Sequence, residues 1–255
     1  MTRERFEYIL IPVVFVLAIS LWRLIIRLGD YPPFILPPPE RVWAKLVRLL
    51  ADGSLIEQAK YTSLEAFLGF VAAFLFGTVM GYILAKSPLL EKLIQPYIVA
   101  SRGIPVIAIA PLLVIWFGFG ITSKVFVCFF IVFFPMLITT IIGIREVSEE
   151  KRELMHSYSA SPWQVFSKLE VPSALPVLLG GVKLGVTSSV MGAVVGEFVG
   201  ADRGLGFWVN LGKGQFDTTL IFVSIAALVV LSLTVYISVW VLEGILLKGR
   251  RRVMT

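Results

Sequence analysis

The chain has 255 residues, of which 57% are hydrophobic and 16% are charged, and its mean hydropathy is +0.88. Ordinary soluble domains carry roughly 25% charged residues, so this chain has too little polar surface to cover a water-exposed globule. The composition excludes a soluble enzyme and indicates a polytopic membrane protein. The net charge of +6 does not indicate nucleic-acid binding, because the basic residues mostly flank apolar runs, as membrane topology requires.

Six apolar runs predict six transmembrane helices, each of about 20 residues. The predicted spans are Tyr8–Leu28, Thr62–Ala85, one within Leu89–Phe117, Ser123–Ile144, Val177–Val199 and Thr219–Leu247. The third run contains Pro96, Pro105 and Pro111, so its boundaries stay open. The first run carries a triplet that resembles a signal-peptide cleavage site at 18–20, but the further spans favour an uncleaved anchor.

The predicted order of regions is an anchor span and interfacial helix (1–61), a membrane core (62–247) and a basic tail (248–255). After the proline-rich stretch 31–39, residues Glu40–Ala51 have apolar side chains on one helical face and basic ones on the other. This pattern predicts a helix that lies on the membrane surface or packs on the end of the bundle. Basic residues are more frequent in the segments that lie inside if both termini are cytoplasmic, which favours that orientation.

The polar segment 145–176 differs from the other loops. Ser148 before two glutamates predicts one helix start, and Ser161-Pro162-Trp163-Gln164 predicts a second with a capping box. Pro172 and Pro176 are expected to end this segment before the fifth span. The sequence therefore predicts two short helices, which dock on a cytoplasmic partner or fold back on the protein's own membrane face.

This segment resembles the EAA loop of binding-protein-dependent ABC importer permeases. Glu153, Ala160, Pro172 and Pro176 match the motif of that family. Leu154 and Met155 replace its two alanines, Val171 its leucine and Ser159 its glycine. Serine at position 159 indicates a turn without a positive φ, or a strained one.

Other motifs extend the resemblance over roughly residues 33–245, to the sulfonate, taurine and nitrate branch of the family. They are Ser63-Leu64, Gly69-Phe70, Gly77, Gly81, Pro105, Pro111-Leu112, the 116–120 segment, Phe134-Pro135, Gly196-Glu197 and the 204–206 segment. Glu65 stands where that branch usually has arginine.

The resemblance implies an all-α, type I ABC importer permease fold in the bacterial inner membrane. It implies as partners a cytoplasmic ATPase dimer, a second copy of the permease, an external solute-binding protein and the lipid bilayer, with no nucleic acid. ATP and Mg would bind to the ATPase, and this chain would hold no cofactor. The residues expected to couple to the ATPase are Glu153, Ser157, Ser159, Ala160, Ser161, Phe166 and Pro172.

Enzymatic activity of the chain itself is not expected. One cysteine, Cys128, and one histidine, His156, exclude a metal site built from several such ligands. The nearest approach to a phosphate-binding loop, at 206–214, has the wrong spacing and glycine in place of Ser or Thr.

Further residues are assigned from their types and spacing. Gly77 and Gly81 are spaced for close helix packing. Glu197 has a gating or a structural hydrogen-bonding role, and Lys183, about 21 Å away along the helix axis, extends to the interface. Thr187 and Ser188 line the path or bond to their own helix.

Two questions of function stay open. An ion-gradient transporter is the alternative, but it would need inverted repeats and central carboxylates, and neither is evident. The substrate is a heterocyclic vitamin or precursor such as riboflavin or hydroxymethylpyrimidine, or an anion such as a sulfonate, taurine or nitrate. Few fixed cations and many aromatic residues favour the neutral heterocycle.

Overall fold

A computed structural model describes residues 2–247, without the side chains of 2–12, 15 and 102; the predicted basic tail 248–255 lies outside the described residues. Every regular element within the described range is a helix. The helices are α1 (Thr2–Gly29), α2 (Pro39–Ala51), α3 (Ser54–Lys86), α4 (Pro88–Arg102), α5 (Val106–Phe117), α6 (Ile121–Arg145), α7 (Glu149–Ser157), α8 (Pro162–Val165), α9 (Val171–Gly200), α10 (Leu205–Gly214) and α11 (Thr218–Leu247), and a π-helical turn (Phe166–Glu170) joins α8 to α9.

Four helical stretches of the described chain are long and apolar enough to cross a membrane: α3, α6, the continuous stretch Pro162–Gly200, and α11. A fifth span is possible if α4 and α5, which are bent by 93° relative to each other, cross together. The break lies at Pro105, which caps α5, because proline disfavours helical backbone in the residue before it. The first predicted span falls on α1 and stays a prediction.

The prediction that Pro172 and Pro176 end the loop before the fifth span is wrong, because the helix runs through both. The π-helical turn just before them explains this. It lets the N–H of Val171 bond to the Phe166 carbonyl, so that Pro172 falls in the first turn of α9, where a missing N–H is tolerated. Pro176 lies inside the helix, where it costs one backbone hydrogen bond.

Helices α3, α6 and α9 form the centre of the bundle. A Cβ atom added at Gly77 would lie 2.9 Å from the Cβ of Met136, and one at Gly81 would lie 2.7 Å from the Leu137 carbonyl oxygen. The backbones of α3 and α6 therefore approach closely, as small residues allow in membrane helices. Cys128 is buried between α3 and α9, beside Gly69 and Gly192.

Helix α2 packs on the end of the bundle nearest α10. Val42, Leu46 and Leu49 contact a buried cluster that includes Trp208, whereas Trp43 is exposed. Lys45 pairs with Asp217, just before α11. Partial burial raises the pKa of Asp217, but the hydrogen bonds from Lys45 and the Leu220 N–H outweigh this and hold the pKa below its usual range.

Alanine in place of Gly81 is expected to reduce stability by about 1–3 kcal/mol, because its methyl group meets backbone that cannot move without shifting α6. The measurement is the Tm of the purified protein in detergent. Gly180→Ala in α9 is the matched control, since nothing lies within 4 Å of the added atom there. Equal Tm values for the two variants would contradict the close packing of α3 on α6.

Candidate functional site

The segment between α6 and α9 begins with the two predicted helix starts. Ser148 occupies the N-cap of α7 but its side chain accepts no capping hydrogen bond. The predicted capping box of α8 is confirmed. The Gln164 N–H donates to Ser161 Oγ at 3.3 Å, and the Ser161 N–H donates to Gln164 Oε1 at 2.7 Å.

Serine at position 159 predicts either a turn without a positive φ or a strained one, and the turn between α7 and α8 is the strained one. Ser159 has a φ of 54°, in the left-handed region that glycine adopts at no steric cost. The Ser159 N–H donates to the His156 carbonyl at 2.8 Å and the Ala160 N–H to the Met155 carbonyl at 3.0 Å. These two bonds form a Schellman motif, in which the left-handed position usually holds glycine.

This turn presents an exposed, largely aromatic surface. Leu154, Tyr158 and Trp163 are 57%, 79% and 71% exposed, and Glu153 is exposed beside them. We call these four residues the α7 surface. Apolar side chains this exposed outside the long helices are typical of a protein contact.

The structure places the predicted coupling residues in two groups. Glu153, Ser157, Ser159, Ala160 and Ser161 lie together on α7 and its turn. Phe166 is instead half-buried, with its ring 5.2 Å from that of Tyr82 and 5.4 Å from that of Trp163. Pro172 lies in the first turn of α9. Phe166 therefore supports the α7 surface from behind.

Glu170, which sequence reasoning missed, anchors this segment to the bundle. Its side chain is completely buried at the end of the π-helical turn. It accepts hydrogen bonds from Tyr82 Oη at 2.9 Å, from Lys86 and from Arg152. Arg152 also donates to the Ile144 carbonyl at 2.9 Å. The sequence shows only an isolated acid after an apolar stripe, which does not reveal these partners.

At the opposite end of the bundle, buried Glu197 joins α9 to α3 and to the first turn of α10. Thr62 Oγ1 donates to Glu197 Oε1 at 2.7 Å and accepts from the Leu205 N–H at 2.8 Å. The Gly206 N–H donates to Glu197 Oε2 at 2.5 Å. A side chain at Gly204, which has a φ of 107°, would overlap the Glu197 carboxylate. Of the two roles predicted for Glu197, these contacts favour structural hydrogen bonding.

Two further buried ionisable residues lie beside Glu197. The carboxyl groups of Glu65 and Glu197 are within hydrogen-bonding reach of each other. Lys124 lies buried in the first turn of α6, and its Nζ donates to the Phe119 carbonyl at 2.6 Å. These residues are far apart in sequence, so spacing alone could not reveal the cluster.

Lys183 does not extend alone to the interface, as the sequence suggested, because it pairs with Glu243 of α11. The predicted path residue Thr187 bonds to its own helix, with Oγ1 donating to the Lys183 carbonyl at 3.1 Å, and Ser188 is half-buried one position on. Among the described residues, no group of three or more His, Cys, Asp or Glu side chains is placed to hold a metal ion.

The fold and these two ends define an all-helical integral membrane protein with one protruding helical loop. Residues 66–252 match the family described as the binding-protein-dependent transport system inner membrane component. The chain belongs to this family and is the permease component of an importer for small solutes, not an enzyme.

Relatives within this class are similar over nearly the whole chain. The chain is 41% identical to the riboflavin transport system permease protein RibX of Chloroflexus aurantiacus, over 96% of this chain and 92% of that protein. It is 30% identical to the taurine transport system permease protein TauC of Escherichia coli, over 84% and 80%. A solved structure of the MetNI methionine ABC transporter in an inward-facing conformation has the same fold, with a TM-score of 0.65 at 18% identity, over 74% of this chain and 94% of that chain.

Glycine in place of Ser159 is expected to stabilise the loop. It removes the roughly 1–2 kcal/mol cost of a left-handed L residue, and the greater freedom of glycine in the unfolded chain offsets part of this gain. The net gain of about 0.5–1 kcal/mol is measured as a rise in Tm and slower hydrogen exchange in 149–161. Ser161→Ala is the opposing control, because it removes the capping box at a cost of about 1 kcal/mol. A fall in Tm for Ser159→Gly would contradict the strained turn.

Valine in place of Thr62 removes the hydroxyl between Glu197 and the Leu205 N–H. Two buried polar groups then lose a partner, at an expected cost of about 1–3 kcal/mol, which is measured by thermal unfolding in detergent. Thr234→Val on α11 is the control, because that exposed hydroxyl bonds to the Val230 carbonyl of its own helix. An unchanged Tm in Thr62→Val would show that the Glu197 contacts contribute little.

Proposed function

We propose that this chain is the transmembrane permease subunit of an ATP-driven importer that moves a heterocyclic vitamin or precursor of the riboflavin class into the cytoplasm. Two relatives support this substrate class. The chain is 41% identical to a permease named for riboflavin transport, and it is 32% identical to the formylaminopyrimidine transport permease protein ThiX of Halalkalibacterium halodurans. Taurine and sulfonates are the second candidate class, since relatives named for them match at 30% identity.

The observation that carries the proposal of an ATP-driven partner is the α7 surface. It exposes apolar side chains at the end of α7 and the start of α8, so it offers a preformed contact for a separate ATPase dimer. ATP and Mg would bind in that dimer. In this arrangement the α7 end faces the cytoplasm together with both termini, and the α10 end faces an external binding protein.

Two permease copies, proposed to be identical, would surround the translocation path. ATP must bind one conformation of the assembly more tightly than the other, because only differential affinity shifts an equilibrium. Membership in a binding-protein-dependent family argues against the ion-gradient alternative. In addition, the Glu65–Glu197 pair lies next to the first turn of α10 and not at the middle of the bundle.

Charge reversal at Glu153 is expected to weaken docking of the ATPase at least about fivefold, which is the effect of losing about 1 kcal/mol at an interface. The measurement is co-purification of the ATPase with the permease, together with uptake into proteoliposomes. Glu57→Lys, an exposed glutamate at the α10 end, is the matched control. Normal co-purification and uptake in Glu153→Lys would sink the proposal that this surface docks the ATPase.

The substrate class is tested on the external binding protein that co-purifies with the assembled transporter. A ligand that binds the folded state raises its Tm, so we expect riboflavin or a pyrimidine precursor to raise the Tm and taurine to leave it unchanged. A rise with sulfonates or taurine alone would overturn the heterocycle and favour the second class.

A further inference from the structure

We propose that Glu170 is a positioning residue that makes α7 and the adjacent end of α3 move as one body, so that displacement of the docked loop is passed to α3. This inference rests on the proposed function, because it requires an ATPase that moves α7. We call Glu170, Tyr82, Lys86 and Arg152 the Glu170 clasp.

The clasp joins three separate parts of the chain through one buried carboxylate. Arg152 comes from α7, Tyr82 and Lys86 come from α3, and Glu170 ends the π-helical turn before α9. Glu170 is 0% exposed. A buried carboxylate is stable only when it is paired and hydrogen-bonded, so moving α7 away from α3 would take Arg152 from a carboxylate that is itself shielded from water.

Two side chains of the π-helical turn contact the same residue, Tyr82. Phe166 and Glu170 are four positions apart and share a helical face. Phe166 packs edge-on against the Tyr82 ring with the centroids 5.2 Å apart, and Glu170 accepts from the hydroxyl of the same residue at 2.9 Å. Both the ring and the hydroxyl group of Tyr82 are therefore in contact with the π-helical turn.

Helix α3 connects this clasp to the buried carboxylate of Glu197. It is one helix of 33 residues, and Lys86 and Thr62 on it are about 36 Å apart along its axis. Thr62 bonds Glu197, which in turn accepts a hydrogen bond from the first turn of α10. A shift of α3 at its clasped end therefore reaches contacts that fix the opposite end of the bundle.

A second ion pair at the α7 end provides a matched control. Glu91 of α4 pairs with Arg145 at the end of α6, through two hydrogen bonds. It is also a glutamate–arginine pair at this end of the bundle, but it is more exposed than the clasp and does not include α7. Its loss should leave the movement of α7 with α3 intact.

The test uses the whole transporter in proteoliposomes, with its ATPase and loaded binding protein, and compares wild type, Glu170→Gln and Glu91→Gln. The readouts are ATPase co-purification, ATP hydrolysis with and without the binding protein, and substrate imported per ATP. In Glu170→Gln we expect normal co-purification and basal hydrolysis, with stimulation and import per ATP reduced about fivefold or more, in the range of typical coupling energies. Glu91→Gln should behave as wild type.

Import per ATP at the wild-type level in Glu170→Gln would overturn the inference, as would an equal loss in Glu91→Gln. Loss of ATPase binding in Glu170→Gln alone would also overturn it, because Glu170 would then only fold the loop. If Glu170→Gln fails to accumulate, Tyr82→Phe and Arg152→Lys replace it, and both must lower import per ATP while the ATPase stays bound. An ATPase that does not bind even the wild type would instead overturn the proposed function.

Discussion

Polar groups buried among membrane helices must find their partners within the protein, because lipid offers none. In this chain that constraint decides how the helices are joined. Glu170 connects α7 and α3, Glu197 connects α3, α9 and the first turn of α10, and Lys183 pairs with Glu243 across α9 and α11. Each of these contacts fixes the relative position of elements that apolar packing alone could let slide.

Close helix packing also fixes the position of α3. Gly77 and Gly81 bring the backbone of α3 against α6, so α3 is held along its side as well as at both ends. A helix held in this way can carry a displacement from one end of the bundle to the other. The α7 surface is where the proposed ATPase would apply the displacement, and the first turn of α10 is where the proposed external side would receive it.

Much of the fold followed from hydropathy, because apolar runs of sufficient length have few alternatives in a membrane. The capping box at Ser161 was equally readable, since its partners are three residues apart. The sequence does not predict that the helix runs through Pro172, because this depends on a π-helical turn for which no local sequence pattern is evident. The sequence also does not reveal the contacts of Glu170 or the partner of Lys183, because these contacts join residues far apart in sequence. For Ser159, the sequence predicts a positive φ only as one of two alternatives.

The central claim is that α7 and the clasped end of α3 move together. Its most direct test is a pair of cryo-EM structures of the assembled transporter, one without nucleotide and one with ATP bound. The account predicts that Glu170 keeps its contacts with Arg152 and Tyr82 in both states, and that α7 superimposes with the Lys86 end of α3 as one rigid body. Separation of Arg152 from Glu170 in either state, with α7 moving while α3 stays in place, would contradict it.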